Sequence, residues 1–148
     1  MNDPLPEHCM SRYSVRVRFG ETDLMGIVHH ATYLSYFEAG RVEYLRRRGI
    51  EYLEWATRGI HLPVVEARLR YKKTARFDEL LLVESRLSKL TRVTVEFSYR
   101  ILREAELVTE GHTLLACVDD AHVPKRIPPD VAAVLRGPEL SPREEDRV

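Results

Sequence analysis

The feature that most constrains the fold is a proline-free segment over residues 31–48, whose apolar side chains recur at spacings of three to five. That spacing predicts an α-helix. Its apolar surface extends nearly all the way round, through Tyr33, Leu34, Tyr36, Phe37, Ala39, Val42, Tyr44 and Leu45. Three arginines before Gly49 suit the negative end of the helix dipole, and the glycine marks the end of the helix. Because a helix that is apolar on most sides has to be buried, we expect the rest of the chain to enclose it.

Five other segments have the composition or the apolar–polar alternation of β-strands. They cover residues 13–19, 65–71, 80–90, 93–101 and 107–119, and Tyr13, Val15, Val17 and Phe19 form the apolar side of the first. Short turns between neighbouring segments predict antiparallel pairing. Gly111, in the middle of the last segment, predicts either a β-bulge or a close approach of another backbone.

Two short helices complete the predicted order. One spans residues 51–57 and carries the only tryptophan, Trp55, and the other opens at Pro128 and Pro129 and ends near residue 135. The pattern predicts one α+β domain over residues 1–148, with its core in residues 12–135 and a flexible tail over 137–148. In this architecture an antiparallel sheet curls round a single helix, and its open edges favour pairing with a second copy.

The composition excludes several functional classes. The chain has 23 basic and 23 acidic residues, so it has no overall charge that would favour nucleic acid. No apolar run approaches the ~20 residues that span a bilayer, and the first ten residues lack the apolar part of a signal peptide, which favours a cytoplasmic location. Cys9 and Cys117 are the only cysteines, so neither a disulfide framework nor a structural zinc site is indicated.

The segment that concentrates chemistry is the loop over residues 21–30, between the first strand and the long helix. Asp23 stands beside the start of the helix, where unpaired N–H groups and the positive dipole end polarise a carbonyl group. A thioester needs little acid assistance, because a thiol with a pKa of about 8.5 is a good leaving group. One carboxylate, acting as nucleophile or general base, suffices with such an oxyanion hole, and neither metal nor cofactor is needed.

Other roles fit the same residues. Asp23 is a residue type that caps helices and closes turns, and Gly26 serves a turn as readily as the close approach of a ligand. His29 and His30 are adjacent, so they do not share one face of a helix or strand, and a metal pair is disfavoured. Catalytic assistance by one imidazole stays open.

Three stretches carry a resemblance to a known family. They are residues 19–34 (FGETDLMGIVHHATYL) continuing through 36–41 (YFEAGR), residues 71–80 (YKKTARFDEL) and residues 106–119. They resemble the 4-hydroxybenzoyl-CoA thioesterase-like branch of the hot-dog superfamily, and the similarity spans residues 12–135. The resemblance implies a hot-dog fold, a five-stranded antiparallel sheet wrapped round one long central helix. It also implies an acyl-CoA thioesterase that acts as a homo-oligomer, a dimer or a tetramer.

The resemblance assigns roles to residues of the loop. It implies that Asp23 is the catalytic carboxylate and that the backbone N–H of His30 faces the thioester oxygen, while some bacterial members are thought to use the imidazole as well. Lys73 stands where relatives commonly have proline, and the turn over residues 103–105 lacks their usual glycine. These departures concern local geometry rather than the core assignment.

Other candidates for the site lie on the helix and beyond it. Glu38 is the competitor for the carboxylate role, and its spacing to Arg41 also predicts an ion pair. Tyr33 and Tyr36 are either core aromatics or walls of the acyl pocket.

The phosphate groups of coenzyme A require a locally basic surface. Basic residues available for it are Arg68, Arg70, Lys72, Lys73 and Arg76, and Lys89 with Arg92 in the next hairpin turn. The resemblance favours Lys89 and Arg92 for this role, because relatives place basic residues of this hairpin near the nucleotide across a dimer interface. Two alternatives share the fold: a thioesterase for acyl carrier protein, and a non-catalytic domain that binds acyl-CoA, against which Asp23 argues.

Overall fold

The computed structural model describes residues 4–140. The elements in chain order are β1 (Met10–Arg16), a 3-10 turn (Phe19–Glu21), α1 (Thr32–Arg46), α2 (Tyr52–Thr57), β2 (Val64–Tyr71), β3 (Leu80–Leu90), β4 (Thr94–Arg103), β5 (Glu106–Ala116) and α3 (Pro129–Arg136). The five strands form one sheet in the order β1-β3-β4-β5-β2, and every neighbouring pair is antiparallel. The predicted α+β class, the five strands and the long central helix are confirmed.

Helix α1 packs its apolar side onto one face of the sheet. Phe37 stacks on Tyr99 of β4 with ring centroids 4.2 Å apart, and Tyr44 meets Phe97 edge-on at 5.1 Å. Gly40 allows the helix to approach β3, since a Cβ at this position would lie 2.8 Å from Cγ1 of Val83. The helix is therefore held against the sheet along several turns.

The opposite side of α1 is less covered than its composition predicts. Leu34 is 40% exposed and Glu38 is exposed, whereas Tyr33, Tyr36 and Phe37 are buried. Within residues 4–140 nothing encloses this side of the helix completely. Leu34 is therefore an apolar side chain left exposed on this side of the helix.

The prediction that Phe19 continues the first strand is wrong. Strand β1 ends at Arg16, and Phe19 begins the 3-10 turn with 76% of its surface exposed. The turn forms because the Glu21 side chain accepts a hydrogen bond from the backbone N–H of Arg18 at 2.8 Å, which closes the chain on itself. Local capping therefore overrides the apolar alternation at this point.

Gly111 marks a close approach and not a bulge. It pairs in regular register with Leu69 on β2 and Tyr99 on β4. A Cβ added here would collide with the backbone oxygen of Arg68 and would lie 2.8 Å from Cε2 of Phe37. Glycine thus lets β5 lie between its neighbour strand and the central helix.

Arg48 joins both ends of the described chain to the end of α1. Its buried guanidinium donates hydrogen bonds to Ser11 Oγ at 2.7 Å and to the backbone oxygens of Tyr44 at 2.9 Å and His8 at 2.8 Å. Its Nε donates to the backbone oxygen of Gly137 at 2.8 Å. Charge-assisted bonds of this kind are the strong ones in proteins, so Arg48 fixes the segments before β1 and after α3.

The beginning of the predicted flexible tail is attached to this end of the helix. The backbone N–H of Leu140 donates to the backbone oxygen of Arg47 at 2.8 Å. Residues 141–148 of that predicted tail lie outside the described residues. Among residues 4–140, no helix combines the length and apolarity needed to cross a membrane.

We predict that Gly111→Ala destabilises the fold, because the new methyl group overpacks a site bordered by backbone. The expected loss in the free energy of unfolding is about 1–3 kcal/mol, measured by urea denaturation. Gly20→Ala is the matched control, since a Cβ at Gly20 meets no atom within 4 Å. The control is expected to change stability by no more than about 0.5 kcal/mol. Equal stability of the two variants would contradict the close approach.

Candidate active site

Residues 22–28 form a small hairpin with Asp23 at its turn. The backbone N–H of Asp23 donates to Ile27 at 2.9 Å, that of Gly26 donates back to the Asp23 oxygen at 2.9 Å, and Thr22 pairs with Val28. The Asp23 side chain closes the turn, since its Oδ1 accepts from the N–H of Met25 at 2.8 Å. Its Oδ2 has no hydrogen-bond partner within the described range. The turn-closing role therefore leaves one carboxylate oxygen available.

Gly26 is needed by the geometry of this turn. Its φ of +77° lies in the left-handed region, which side chains disfavour. A Cβ at Gly26 would lie 3.7 Å from Nη1 of Arg76, so this guanidinium lies beside the hairpin. The turn role of Gly26 is confirmed, and contact with a ligand stays a prediction.

Two backbone bonds fix the hairpin relative to the rest of the chain. The N–H of Val28 donates to Ala75 at 2.8 Å, in the connection between β2 and β3, and the N–H of His29 donates to Glu21 at 2.8 Å. The chain then turns directly into α1 at Thr32. Asp23 and His30 are thus brought to the same end of the central helix.

The two histidines have different roles at the helix start. His29 Nδ1 accepts a hydrogen bond from the N–H of Ala31 at 3.1 Å, which requires an unprotonated Nδ1 and provides a cap that Ala31 itself lacks. The two rings are stacked with centroids 4.2 Å apart. The N–H of His30 donates to no acceptor within residues 4–140. It is an unengaged donor at the positive end of the helix dipole.

The structure adds Glu21 to the site, which sequence reasoning did not single out. Its Oε1 accepts from the N–H of Arg18 at 2.8 Å and from the hydroxyl of Tyr36 at 2.9 Å, and its Oε2 accepts from Nη2 of Arg18 at 3.1 Å. Partial burial opposes ionisation, but these hydrogen bonds outweigh it and lower the pKa of Glu21. The bond from the Arg18 N–H to Glu21 is the carboxylate half of a capping box, but arginine at the first position is not the Ser or Thr that signals one, and the contact with Tyr36 has no local sign either.

Tyr71 is a second residue that the sequence did not indicate. It lies at the end of β2, and its hydroxyl donates to the backbone oxygen of His30 at 3.0 Å. This bond orients the peptide group that follows His30. Because β2 and the loop are distant in sequence, no local pattern could have paired them.

Tyr33 and Tyr36 lie in the core below the loop. They are 3% and 4% exposed, and Tyr33 contacts Tyr71 with ring centroids 5.6 Å apart. Burial raises the pKa of Tyr33, and burial followed by the hydrogen bond to Glu21 raises the pKa of Tyr36. Both are neutral core aromatics, and their role as walls of an acyl pocket stays a prediction.

The predicted ion pair between Glu38 and Arg41 is absent. Arg41 donates instead to the hydroxyl of Tyr99 at 3.0 Å, and that hydroxyl also bonds Thr113 at 2.6 Å. Glu38 is exposed on the open side of α1, and it borders an apolar cavity of about 250 Å³ together with Arg41. The polar network inside the core therefore competes successfully for Arg41.

The structure does not bring Lys89 and Arg92 to the loop of their own chain. Strand β3 runs from Leu80, at the loop end of the sheet, to Leu90, so its 11 residues separate the two ends by roughly 30 Å. Arg76 is a basic residue that does lie beside the hairpin of its own chain. Among residues 4–140, no three His, Cys, Asp or Glu side chains cluster closely enough to hold a metal ion.

An antiparallel five-stranded sheet packed on one central helix, with an acidic turn before that helix, defines a hot-dog fold. A model of the thioesterase-like superfamily matches residues 17–135. The chain belongs to the thioesterase-like superfamily. The prediction of a thioester hydrolase is confirmed at the level of this family.

Individual relatives agree with this assignment. A putative esterase of Aquifex aeolicus is 36% identical over 124 residues, which are 84% of this chain and 96% of that protein. The acyl-CoA thioesterase YbgC of Haemophilus influenzae is 32% identical over 125 residues, covering 83% and 92% of the two chains. The crystal structure of a hypothetical protein, TT1821 from Thermus thermophilus, superposes with a TM-score of 0.81 at 41% identity, over 84% of this chain and 96% of that one.

Proposed function

We propose that the protein is an acyl-CoA thioesterase in which Asp23 is the catalytic carboxylate and the start of α1 is the oxyanion hole. One observation carries the proposal: a carboxylate with an uncommitted oxygen lies at the same helix end as the unengaged N–H of His30. A carboxylate and a helix N-terminus are the two groups that thioester hydrolysis needs. The name of the Haemophilus relative supports the coenzyme A thioester as substrate.

The reaction has two possible courses at Asp23. As a general base, Asp23 takes a proton from water while the water oxygen bonds to the thioester carbon. As a nucleophile, it forms a mixed anhydride with the acyl group, which water then hydrolyses. In both, the carbonyl oxygen becomes an oxyanion that the His30 N–H stabilises, the carbon–sulfur bond breaks, and the thiolate of coenzyme A leaves.

A second copy of the chain completes the proposed pocket. Strand β2 is an edge of the sheet, and Val64, Val65 and Tyr71 along it are 44%, 54% and 50% exposed. An exposed apolar edge strand favours pairing with another strand. The proposed phosphate-binding residues Lys89 and Arg92 can approach a loop only from a second copy, since they lie far from Asp23 of their own chain.

We predict that Asp23→Asn lowers kcat on acyl-CoA substrates by about 100-fold or more, because the amide is neither a base nor a nucleophile. Thiol release from a panel of acyl-CoAs measures the rate, and circular dichroism checks folding. Glu38→Gln is the matched control, since it neutralises the competing carboxylate on α1. Loss of activity in Glu38→Gln but not in Asp23→Asn would assign the role of catalytic carboxylate to Glu38. If the protein hydrolyses acyl-carrier-protein thioesters and no acyl-CoA, the substrate carries its acyl group on acyl carrier protein and not on coenzyme A.

We predict that His30→Ala retains most of the activity, because the proposed donor is a backbone N–H that alanine also has. The expected loss in kcat is less than about 10-fold, whereas removal of an imidazole general acid or base costs about 10²–10⁴-fold. An amide-to-ester replacement at residue 30, made by semisynthesis, removes the N–H and is expected to lower kcat more than His30→Ala. Greater loss in His30→Ala would assign the role to the imidazole.

We predict a particle mass of at least twice the 17.2 kDa of one chain by light scattering. Val65→Lys is expected to shift the mass towards one chain and to lower activity, because a charge on the edge of β2 opposes strand pairing. Ser14→Lys places the same charge on β1, the other edge of the sheet. Association that survives Val65→Lys but not Ser14→Lys would place the interface on β1.

A further inference from the structure

Glu21 connects three parts of the site. Its two carboxylate oxygens hold Arg18, at the exit of β1, and the hydroxyl of Tyr36, inside α1. Its backbone oxygen holds the N–H of His29, on the returning arm of the hairpin. Glu21 lies two residues before Asp23, and Tyr36 lies on α1, which begins two residues after His30.

The contact with Tyr36 is the only one of these that spans from the loop into the buried helix. Tyr36 is 4% exposed, and its ring is fixed by an edge-on contact with Tyr33 at 5.8 Å. The Glu21 side chain is 15% exposed, so few waters compete for its oxygens. A charge-assisted hydrogen bond from an immobilised hydroxyl is a rigid link.

We propose that Glu21 is a positioning residue for thioester hydrolysis, and that its carboxylate, bonded to Tyr36, sets the distance between Asp23 and the N–H of His30. This inference rests on the proposed function, because it presupposes that these two groups act on the same thioester. The carboxylate carries the link because it accepts from Arg18 and Tyr36 at once, and a neutral amide in its place turns one acceptor into a donor.

The effect on rate follows from how catalysis depends on geometry. Asp23 lies in the turn of a hairpin whose other attachments are the backbone bonds from Val28 to Ala75 and from His29 to Glu21. A long hydrogen bond of 3.5 Å from Thr32 Oγ1 to the backbone oxygen of Glu21 is the other contact with α1. Without the shorter link to Tyr36, the hairpin retains its internal bonds but shifts relative to the helix start. A displacement of about 1 Å between reacting groups costs about 100-fold in rate. We expect binding of coenzyme A to be unaffected by this shift, because the proposed phosphate-binding residues, Lys89 and Arg92, lie far from the hairpin of their own chain.

The test uses Tyr36→Phe and Glu21→Gln in the full-length protein. Each is expected to lower kcat by about 10–100-fold while KM stays unchanged. The double variant is expected to be no slower than the slower single variant, since both remove one link. Tyr44→Phe is the matched control: it deletes another buried hydroxyl of the same helix, one that bonds the backbone of Leu135 far from the loop. It is expected to lower thermal stability and leave kcat intact.

A merely structural role gives a different result. In that case Tyr36→Phe and Tyr44→Phe lower the melting temperature alike, and the folded enzyme keeps its kcat in both, which would overturn the inference. Additive losses in the double variant would overturn it too, because they would mean separate roles for the two groups.

Amide hydrogen exchange separates this inference from the proposed function. Tyr36→Phe is expected to speed exchange at the N–H groups of Met25 and His29, and Tyr44→Phe is not. If wild type hydrolyses no acyl-CoA, the proposed function fails, and exchange still decides whether the link holds the hairpin. If Asp23→Asn abolishes activity while Tyr36→Phe leaves both kcat and exchange unchanged, the positioning role alone is wrong.

Discussion

The contact between α1 and the sheet is the constraint on which the rest of the structure depends. Phe37 stacks on Tyr99, and two glycines, Gly40 and Gly111, remove the side chains that would hold the helix away. Aromatic stacking contributes energy beyond the buried area, and close packing leaves the helix little room to move against the sheet. Once the helix is fixed, its first turn is fixed as well. The position of the loop that precedes it, at the end of the sheet, is thereby fixed.

The chemistry of the loop follows from that place. A helix start presents N–H groups without acceptors, and a hydrogen-bonded turn before it holds a carboxylate nearby. One carboxylate oxygen of Asp23 accepts a hydrogen bond from the N–H of Met25, which orients the side chain and still leaves the other oxygen free. Nδ1 of His29 accepts a hydrogen bond from the N–H of Ala31, and the N–H of His30 is not bonded by this imidazole. The turn and capping roles, which any aspartate or histidine could have, are here the means by which the proposed catalytic groups are oriented.

Local patterns predicted the fold well because helix and strand periods are local properties. The strand and helix order could be read from the sequence. At Gly26 and Gly111 the sequence left two alternatives each, and the structure shows a turn at Gly26 and a close backbone approach at Gly111. Phe19 was misplaced because a capping interaction overrode the apolar alternation. Arg41 was misassigned because its i, i+3 neighbour competes with Tyr99, a residue 58 positions away. Glu21 and Tyr71 were missed for the same reason: their partners lie on other elements, and a single sequence does not show which elements meet.

The proposed function requires a second copy even though one chain already holds both proposed groups. Leu24, Met25 and Phe77 around the hairpin are 108%, 72% and 55% exposed, so the loop of a single chain lies in water. Hydrogen bonds to an oxyanion are weak in water and strong where water is excluded. A thioester bound to one chain would therefore meet the proposed carboxylate and N–H in an environment that weakens both. Apolar side chains around a polar site are what a covering surface buries, and that burial would supply the low dielectric that the geometry alone lacks.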